Sequence, residues 1–190
     1  MKILFDHQIF LSQKYGGVSR YFVELMKEFD KIEVEYSLTI KYCNNAYIQE
    51  VKEVKKFKEN KLSSKIFYYF SQFVQNQKLK KSEFDIFHPT YYNPYFLKNL
   101  DEPYVLTVYD FMHEKFADMF DQNDKNIHWK KKASLKADRL IAISENTKKD
   151  IIKYYGVAED KIDVVYNLSI NQWNGNREIQ LIIKDIKKNA

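Results

Sequence analysis

The chain has 190 residues, of which 45% are apolar and 16% aromatic, and this composition excludes intrinsic disorder. A net charge of +5 supports solubility and says nothing about the fold. The only cysteine, Cys43, has no partner for an internal disulfide, and no His or Cys spacing fits a zinc site, so we expect a reducing, cytoplasmic environment. No apolar run reaches the ~20 residues that span a bilayer, so we expect neither an export signal nor an integral membrane protein.

The amino-terminal part predicts a strand, a glycine loop and a helix, in that order. Residues 2–6 form a short apolar run, and a polar loop follows it as far as Gly16 and Gly17. The next apolar residues recur with the spacing of one helix face, which predicts a helix; they are Val18, Tyr21, Phe22, Leu25, Met26 and Phe29. Residues 33–40 alternate in polarity and are rich in β-branched and aromatic types, which predicts a second strand.

Residues 46–81 combine lysines with aromatic side chains, and their pattern predicts one or two helices. Three interpretations are open: a solvated charged face over an ordinary core stripe, an interfacial helix for anionic lipid headgroups, or a nucleic-acid surface. We predict peripheral attachment to anionic membranes, and we expect no nucleic-acid partner.

The second half of the chain contains four short apolar runs that each end in polar residues. The runs are 84–89, 104–110, 139–144 and 162–167. Residues 145–155 predict a helix that ends at Gly156. Near-continuous apolar strands that alternate with helices are typical of a parallel sheet covered on both faces, so we predict a doubly wound α/β domain. We further predict a linker over 168–176 and a C-terminal helix over 177–188 that packs back on the domain.

Ligands of open parallel sheets bind outside the carboxyl ends of the strands, so the residues at those ends are the candidate site. They are Asp6, His7, Gly16, Gly17, His88, Asp110, His113, Ser144, Glu145 and Asn167. The chain has no GxGxxG fingerprint, no nucleotide P-loop and no GxSxG elbow, which disfavours a nicotinamide or flavin enzyme, a P-loop nucleotidase and a serine hydrolase.

Three of these features have both a structural and a functional interpretation. The Gly16-Gly17 pair is either a tight turn or a backbone that a ligand anion approaches closely at a helix N-terminus. Ser144 is expected to cap the following helix through Thr147, and the same helix end is compatible with a phosphate. His113, three residues after Asp110, is either a hydrogen-bonded loop histidine or a group that exchanges protons near neutral pH.

Four blocks of the sequence together resemble the amino-terminal domain of retaining glycosyltransferase family 4 enzymes, which have the GT-B fold. The blocks are DHQIFLSQKYGGVSRYFVEL (6–25), FDIFHPTYYNPYFL (84–97), VLTVYDFMHE (105–114) and ADRLIAISENTKKDIIKYYGVAEDKIDVVYN (137–167). The resemblance covers residues 1–167. It implies a Rossmann-like domain that forms one half of a GT-B fold and holds the acceptor, a nucleotide-sugar donor as substrate, and no required metal or cofactor.

The resemblance also assigns roles to individual residues. It implies that Gly16 and Gly17 lie beside the donor diphosphate, and that Ser144 lies at the interdomain cleft on the donor side. On the catalytic and acceptor side it implies roles for Asp110, His113, Asp6, His88, Tyr91 and Tyr109. Many relatives have a histidine where Tyr109 stands, and His113 is our candidate for supplying that imidazole.

A full family member continues into a second domain that grips the donor, whereas here only residues 168–190 follow the resemblance. We therefore expect a glycosyltransferase amino-terminal domain that serves polysaccharide assembly, with a glycan or lipid-linked acceptor and weak or no activity alone. A separate carboxyl-half subunit would complete it. The alternative is a noncatalytic module that binds a glycan or a partner chain.

Overall fold

A computed structural model of the chain describes residues 1–58, 60–121 and 124–165, together with the backbone of residues 168–173 and 176–181. Six strands match the six predicted apolar runs: β1 (Lys2–Phe5), β2 (Glu35–Leu38), β3 (Ile86–His88), β4 (Val105–Val108), β5 (Arg139–Ala142) and β6 (Ile162–Val164). Their existence and order confirm the strand predictions.

The six strands are parallel and form two three-stranded sheets, in the orders β2-β1-β3 and β4-β5-β6. A parallel bridge between Phe87 and Tyr104 and a 3.0 Å hydrogen bond from Phe87 N to Pro103 O join β3 to β4. The strand order therefore reverses between β1 and β3, which is the switch point of a doubly wound sheet.

Apolar side chains on both faces of the strands are buried in two core clusters. Along β1, Ile3 and Phe5 face one cluster while Leu4 faces the other. The first cluster contains Phe22 and Met26, and the second contains Ile151 from a helix late in the chain. Because successive side chains of a strand point to opposite faces, this division shows that helices cover both sides of the sheet. The doubly wound α/β prediction is confirmed.

The helices are α1 (Gln8–Ser12), α2 (Gly17–Lys31), α3 (Lys61–Leu79), α4 (Met112–Lys115), α5 (Lys125–Lys136) and α6 (Glu145–Tyr155). The helices α2 and α6 were predicted, and α3 is the one long helix of the segment for which one or two were predicted. No helix among the described residues is long and apolar enough to cross a membrane. The helix α5 was not predicted, because its fully buried residues are Lys130, Ala133 and Ser134, and its large apolar residue Trp129 packs on the core only partly buried.

Residues 168–181 differ from the prediction of a linker and a helix. Two antiparallel strands, β7 (Leu168–Trp173) and β8 (Asn176–Leu181), pair here, so the helix prediction is wrong for 177–181, and residues 182–188 lie outside the described part. The sequence signal was the Asn174-Gly175 dipeptide between two segments that contain isoleucine, because Asn-Gly favours two-residue hairpins over helices.

His88 is a core residue, although the sequence placed it among the candidate acceptor contacts. Its ring packs 5.5 Å from the ring of Phe5 and 5.2 Å from that of Phe22, measured between ring centroids. Its Nε2 lies 2.9 Å from Thr107 Oγ1. Burial lowers the pKa of His88 to about 3, because the charged imidazolium is unfavourable away from water. At neutral pH the ring is uncharged.

Removing the ring of Phe22 should destabilise the protein far more than removing that of Phe73. Phe22 is fully buried, whereas Phe73 on α3 is 62% exposed. We expect Phe22→Ala to lower the free energy of unfolding by about 3–5 kcal/mol, because it leaves a cavity. Phe73→Ala should change it by less than ~0.5 kcal/mol. Urea denaturation measures both, and equal losses would contradict the assigned core.

The stability of the protein should fall in acid partly because of His88. The folded pKa of about 3 lies below the ordinary value of 6.5, so between these values the unfolded chain binds a proton that the folded chain does not. We expect the free energy of unfolding of the native protein, relative to a His88→Gln variant, to fall by about 1.4 kcal/mol per pH unit well below pH 6.5. Chemical denaturation at several pH values measures this difference, and a constant difference would rule the effect out.

Candidate functional site

The carboxyl ends of the parallel strands form one edge of the sheet, which we call the rim. The loop after β1 carries Gly16 and Gly17, the end of β4 carries Tyr109 and Asp110, and the end of β5 leads to Ser144. Because the strands are parallel, all of these segments leave the sheet on the same side.

The glycine turn, Gly16 with Gly17, leads directly into α2. A Cβ atom on Gly16 would lie 2.2 Å from Gln13 Oε1, so the turn is closely packed on that side. A Cβ atom on Gly17 would meet nothing within 4 Å. Gly16 provides no side-chain cap, and the first turn of α2 contains no acidic residue. The Gln13 side chain accepts a 3.4 Å hydrogen bond from the Ser19 amide, so it covers part of this helix end. The amides of Gly17 and Val18 precede it at the positive end of the helix dipole, an arrangement that suits an anion such as a phosphate.

Contacts between side chains join α2 to the ends of β4 and β5. The ring of Tyr21, one turn into α2, lies edge-on to Tyr109 with a centroid distance of 5.8 Å. The Thr147 hydroxyl on α6 lies 3.5 Å from the Tyr109 carbonyl, which it contacts as a donor. Ser144 caps α6 by accepting a 3.1 Å hydrogen bond from the Thr147 amide, as the sequence predicted. The glycine turn, Tyr109 and Ser144 therefore belong to one continuous part of the rim.

Asp110 and His113 lie in a cluster with Tyr91 and Asp124. Asp110 is exposed, and its Oδ1 accepts a 3.1 Å hydrogen bond from the Met112 amide. His113 Nε2 lies 3.9 Å from Asp124 Oδ2. Burial raises the pKa of Tyr91, and the nearby charges of Asp110 and Asp124 raise it further. The cluster therefore combines carboxylates, which accept hydrogen bonds from hydroxyl groups, with an imidazole.

A buried ion pair between Lys130 and Glu114 lies next to this cluster and binds its backbone at Asp110. The Lys130 ammonium donates 2.9 Å hydrogen bonds to the Asp110 carbonyl and to Glu114 Oε2, and it lies 4.7 Å from the ring centroid of Phe111. The Tyr155 hydroxyl donates to the other oxygen of Glu114. A buried charge is tolerated only when it is paired and hydrogen-bonded, so these bonds fix the backbone of Asp110.

Sequence reasoning missed Lys130 and Asp124. Both depend on α5: Asp124 caps its N-terminus by accepting a 2.8 Å hydrogen bond from the Asn126 amide, and Lys130 lies one turn before Ala133 on its buried face. The available signal was the aspartate before a helical segment and the spacing of Lys130, Ala133 and Ala137, which lie on one helix face.

Asp6 and His88 do not contact the surface in this structure, although both were predicted on the acceptor side. Asp6 is fully buried, and its carboxylate accepts hydrogen bonds from Thr90, Tyr95 and Gln8. His88 lies in the core, as described above. Polar residues at strand ends often form hydrogen bonds that hold neighbouring segments in place. In this structure Asp6 bonds to Thr90 and His88 bonds to Thr107. The candidate Asn167 lies outside the described residues.

Tyr109 and His7 complete the rim. Tyr109 is half-buried, and burial raises the pKa of its hydroxyl well above the usual value. His7 is fully buried between the rings of Tyr68 and Tyr95, and its burial lowers its pKa. Within the described residues, no group of three or more His, Cys, Asp or Glu side chains has the arrangement of a metal site.

Comparison with solved structures gives the same fold. HepE from Anabaena, solved in complex with UDP and glucose, matches with a TM-score of 0.55 and 19% identity over 88% of this chain and 44% of that one. A UDP-N-acetylglucosamine 2-epimerase matches with a TM-score of 0.56 and 12% identity over 88% of this chain and 48% of that one. The chain therefore spans less than half the length of either protein.

Comparison by sequence identifies the family. No curated protein sequence matches the chain. Residues 15–168 match Glycosyltransferase Family 4, and this segment includes the glycine turn, both strand ends that carry Asp110 and Ser144, and most of the sheet. The chain therefore belongs to Glycosyltransferase Family 4.

Proposed function

We propose that this domain is the acceptor-side half of an enzyme that transfers a sugar from a nucleotide-sugar donor to a glycan or lipid-linked acceptor in polysaccharide assembly. The observation that carries the proposal is that the glycine turn, Asp110 and Ser144 lie on one rim and are joined through Tyr21 and Thr147. Family membership supports it, and the similar HepE structure contains UDP and glucose.

Each part of the rim has a role in this proposal. The glycine turn receives the donor diphosphate on the Gly17 and Val18 amides of α2, and the capped start of α6 at Ser144 borders the donor side. Asp110 accepts a hydrogen bond from the acceptor hydroxyl and orients it, while His113 and the half-buried ring of Tyr91 line the acceptor side. No metal or resident cofactor is part of the proposal.

The reaction moves one sugar and one proton. The acceptor oxygen forms a bond to the anomeric carbon, the bond from that carbon to the donor diphosphate breaks, and the diphosphate leaves with the electron pair. The leaving diphosphate takes the acceptor proton, so the domain needs groups that position the substrates and stabilise charge, and it needs no nucleophile of its own.

A second candidate is a noncatalytic module that holds a glycan or a partner chain at the same rim. A transfer assay with a Family 4 donor half supplied as a separate polypeptide distinguishes the two. Turnover supports the enzyme, and glycan binding without turnover supports the module.

Replacing Gly17 should weaken diphosphate binding without unfolding the domain. A Cβ atom at Gly17 meets no protein atom, so Gly17→Ala should keep the native free energy of unfolding within ~0.5 kcal/mol, while the methyl group hinders the approach of a phosphate. We expect weak UDP binding by the native domain, with amide chemical-shift changes at Gly16 and Gly17. Affinity should fall about fivefold or more in the variant, which corresponds to the loss of one hydrogen bond of ~1 kcal/mol.

Two results of the UDP titration would contradict parts of the proposal. Shift changes confined to other parts of the domain would contradict the assigned diphosphate site. Micromolar binding of a nucleotide sugar by this chain alone would contradict the proposal that a second half grips the donor.

Removing the charge of Asp110 should slow transfer when a donor half is present. We expect Asp110→Asn to lower kcat at least about tenfold, because an amide orients the acceptor hydroxyl less well than a carboxylate does. Asp101→Asn is the matched control, since Asp101 is also exposed but precedes β4 at the opposite edge of the sheet. Equal rates for the two variants would remove Asp110 from the proposed site.

A further inference from the structure

The helix α3 is arranged with its apolar side outward. Its exposed large apolar residues are Leu62, Ile66, Tyr69, Phe70 and Phe73, which are between 44% and 70% exposed. Their spacing of three and four residues places them on one face of the helix, which we call the α3 stripe. The residues of α3 that are buried against the domain are Ser71, Gln75 and Leu79. A surface helix ordinarily buries its apolar face, so α3 is inverted.

Contacts on the inner side fix this orientation. Phe67 stacks on Tyr42 with a centroid distance of 4.7 Å and lies 4.5 Å from the ring of Phe57. The Tyr68 hydroxyl accepts a 3.0 Å hydrogen bond from Asn93 Nδ2. These contacts hold the helix against the domain with the α3 stripe facing outward. Of the three interpretations of this segment, the ordinary core stripe does not fit these exposed side chains.

The charged residues of α3 itself are all lysines. No Asp or Glu occurs between Lys61 and Leu79. Lys61 and Lys65 on the helix are exposed, and the segment before it exposes Lys55, Lys56 and Lys58 together with the acidic Glu53. An apolar face bordered by lysines, with aromatic side chains among its members, is the pattern of a helix that lies in the interface of an anionic bilayer.

We propose that the α3 stripe is a membrane-binding surface that inserts into the headgroup region of an anionic lipid bilayer, with the lysines on lipid phosphates. From Leu62 to Phe73 the stripe is ~17 Å long at ~1.5 Å per residue, which is too short to cross a ~30 Å hydrocarbon core and suits a helix parallel to the surface. Lys61 and Lys65 lie at its amino-terminal end, close enough to reach lipid phosphates.

A second copy of the chain fits this surface less well. In a two-fold symmetric contact the same patch meets itself, so the lysines of one α3 would lie near those of the other. The helix has no acidic residue to pair with them, and like charges at an interface are unfavourable. An anionic bilayer supplies the complementary charge over the whole surface.

The position of α3 relates this surface to the rim. The ring of Tyr68 lies 5.1 Å from the ring of His7, which follows β1 at the rim. If the proposed function holds, a bilayer at the α3 stripe brings a lipid-linked acceptor beside the acceptor side of the site. Membrane binding itself does not depend on that function, so vesicle binding and sugar transfer are tested separately.

Binding to lipid vesicles tests the apolar part of the surface. Vesicles of phosphatidylcholine mixed with phosphatidylglycerol should co-sediment with the native chain, and vesicles of phosphatidylcholine alone should bind it more weakly. Leu62→Gln with Ile66→Gln should lower the partition coefficient about tenfold or more, because both side chains lose apolar contact with the bilayer. The matched control is Leu135→Gln with Ile152→Gln, which changes an exposed leucine and an exposed isoleucine on α5 and α6.

A charge variant tests the lysines. Lys61→Glu with Lys65→Glu should lower binding to the anionic vesicles about 25-fold or more, since each lysine near the surface contributes ~1 kcal/mol, or about fivefold. Lys131→Glu with Lys132→Glu on α5 changes the net charge equally and should have a much smaller effect. All four changes are at exposed positions, so circular dichroism should show the native fold.

Four results would overturn the proposal. The first is vesicle binding that both α3 variants leave unchanged, and the second is an equal loss in variants and controls. The third is the absence of vesicle binding together with a dimer in sedimentation velocity that the Leu62 and Ile66 changes dissociate, which would assign the stripe to a second copy. Binding of single-stranded RNA in preference to vesicles, lost with the same lysines, would likewise overturn it.

Discussion

The buried carboxylate of Asp6 holds the rim in shape. A carboxylate away from water is stable only when its oxygens are hydrogen-bonded, and Asp6 takes its partners from three separate segments. They are Thr90 after β3, Tyr95 in the 3₁₀ turn Pro94–Lys98, and Gln8 at the start of α1. The bonds to Thr90 and Tyr95 join the loops after β1 and β3, which are the strands where the order of the sheet reverses. This junction therefore positions the start of α1 relative to the loop after β3.

The two sides of the rim differ in how firmly they are held. On the acceptor side, Lys130 and Glu114 form a buried pair that fixes the backbone at Asp110. On the proposed donor side, Gln13 packs against Gly16 and accepts a hydrogen bond from the Ser19 amide, whereas a Cβ atom on Gly17 would meet nothing within 4 Å. An arrangement with a rigid acceptor side and an open donor side is what a half-site requires if the groups that grip the donor come from another domain.

Sequence patterns predicted the strands and the longer helices, because each is a short apolar run or an apolar face with a clear period. They also placed Gly16, Asp110 and Ser144 on one edge, since the carboxyl ends of parallel strands must lie together. They did not predict which strand-end residues are buried. Asp6 and Asp110 are both aspartates that follow an apolar run, yet Asp6 is buried and Asp110 is exposed. That difference depends on long-range partners such as Thr90, which lies 84 residues away.

The orientation of α3 was equally beyond the sequence, because a helical period gives the apolar face but not the direction in which it points. In water, α3 carries two free-energy costs. Its apolar stripe is exposed to solvent, and the Gln75 side-chain amide is buried with no hydrogen-bond partner among the described residues. Natural helices seldom keep two such costs without a gain elsewhere. The proposed insertion of the stripe into a bilayer would offset the first cost and would leave the inner contacts of Phe67 and Tyr68 undisturbed.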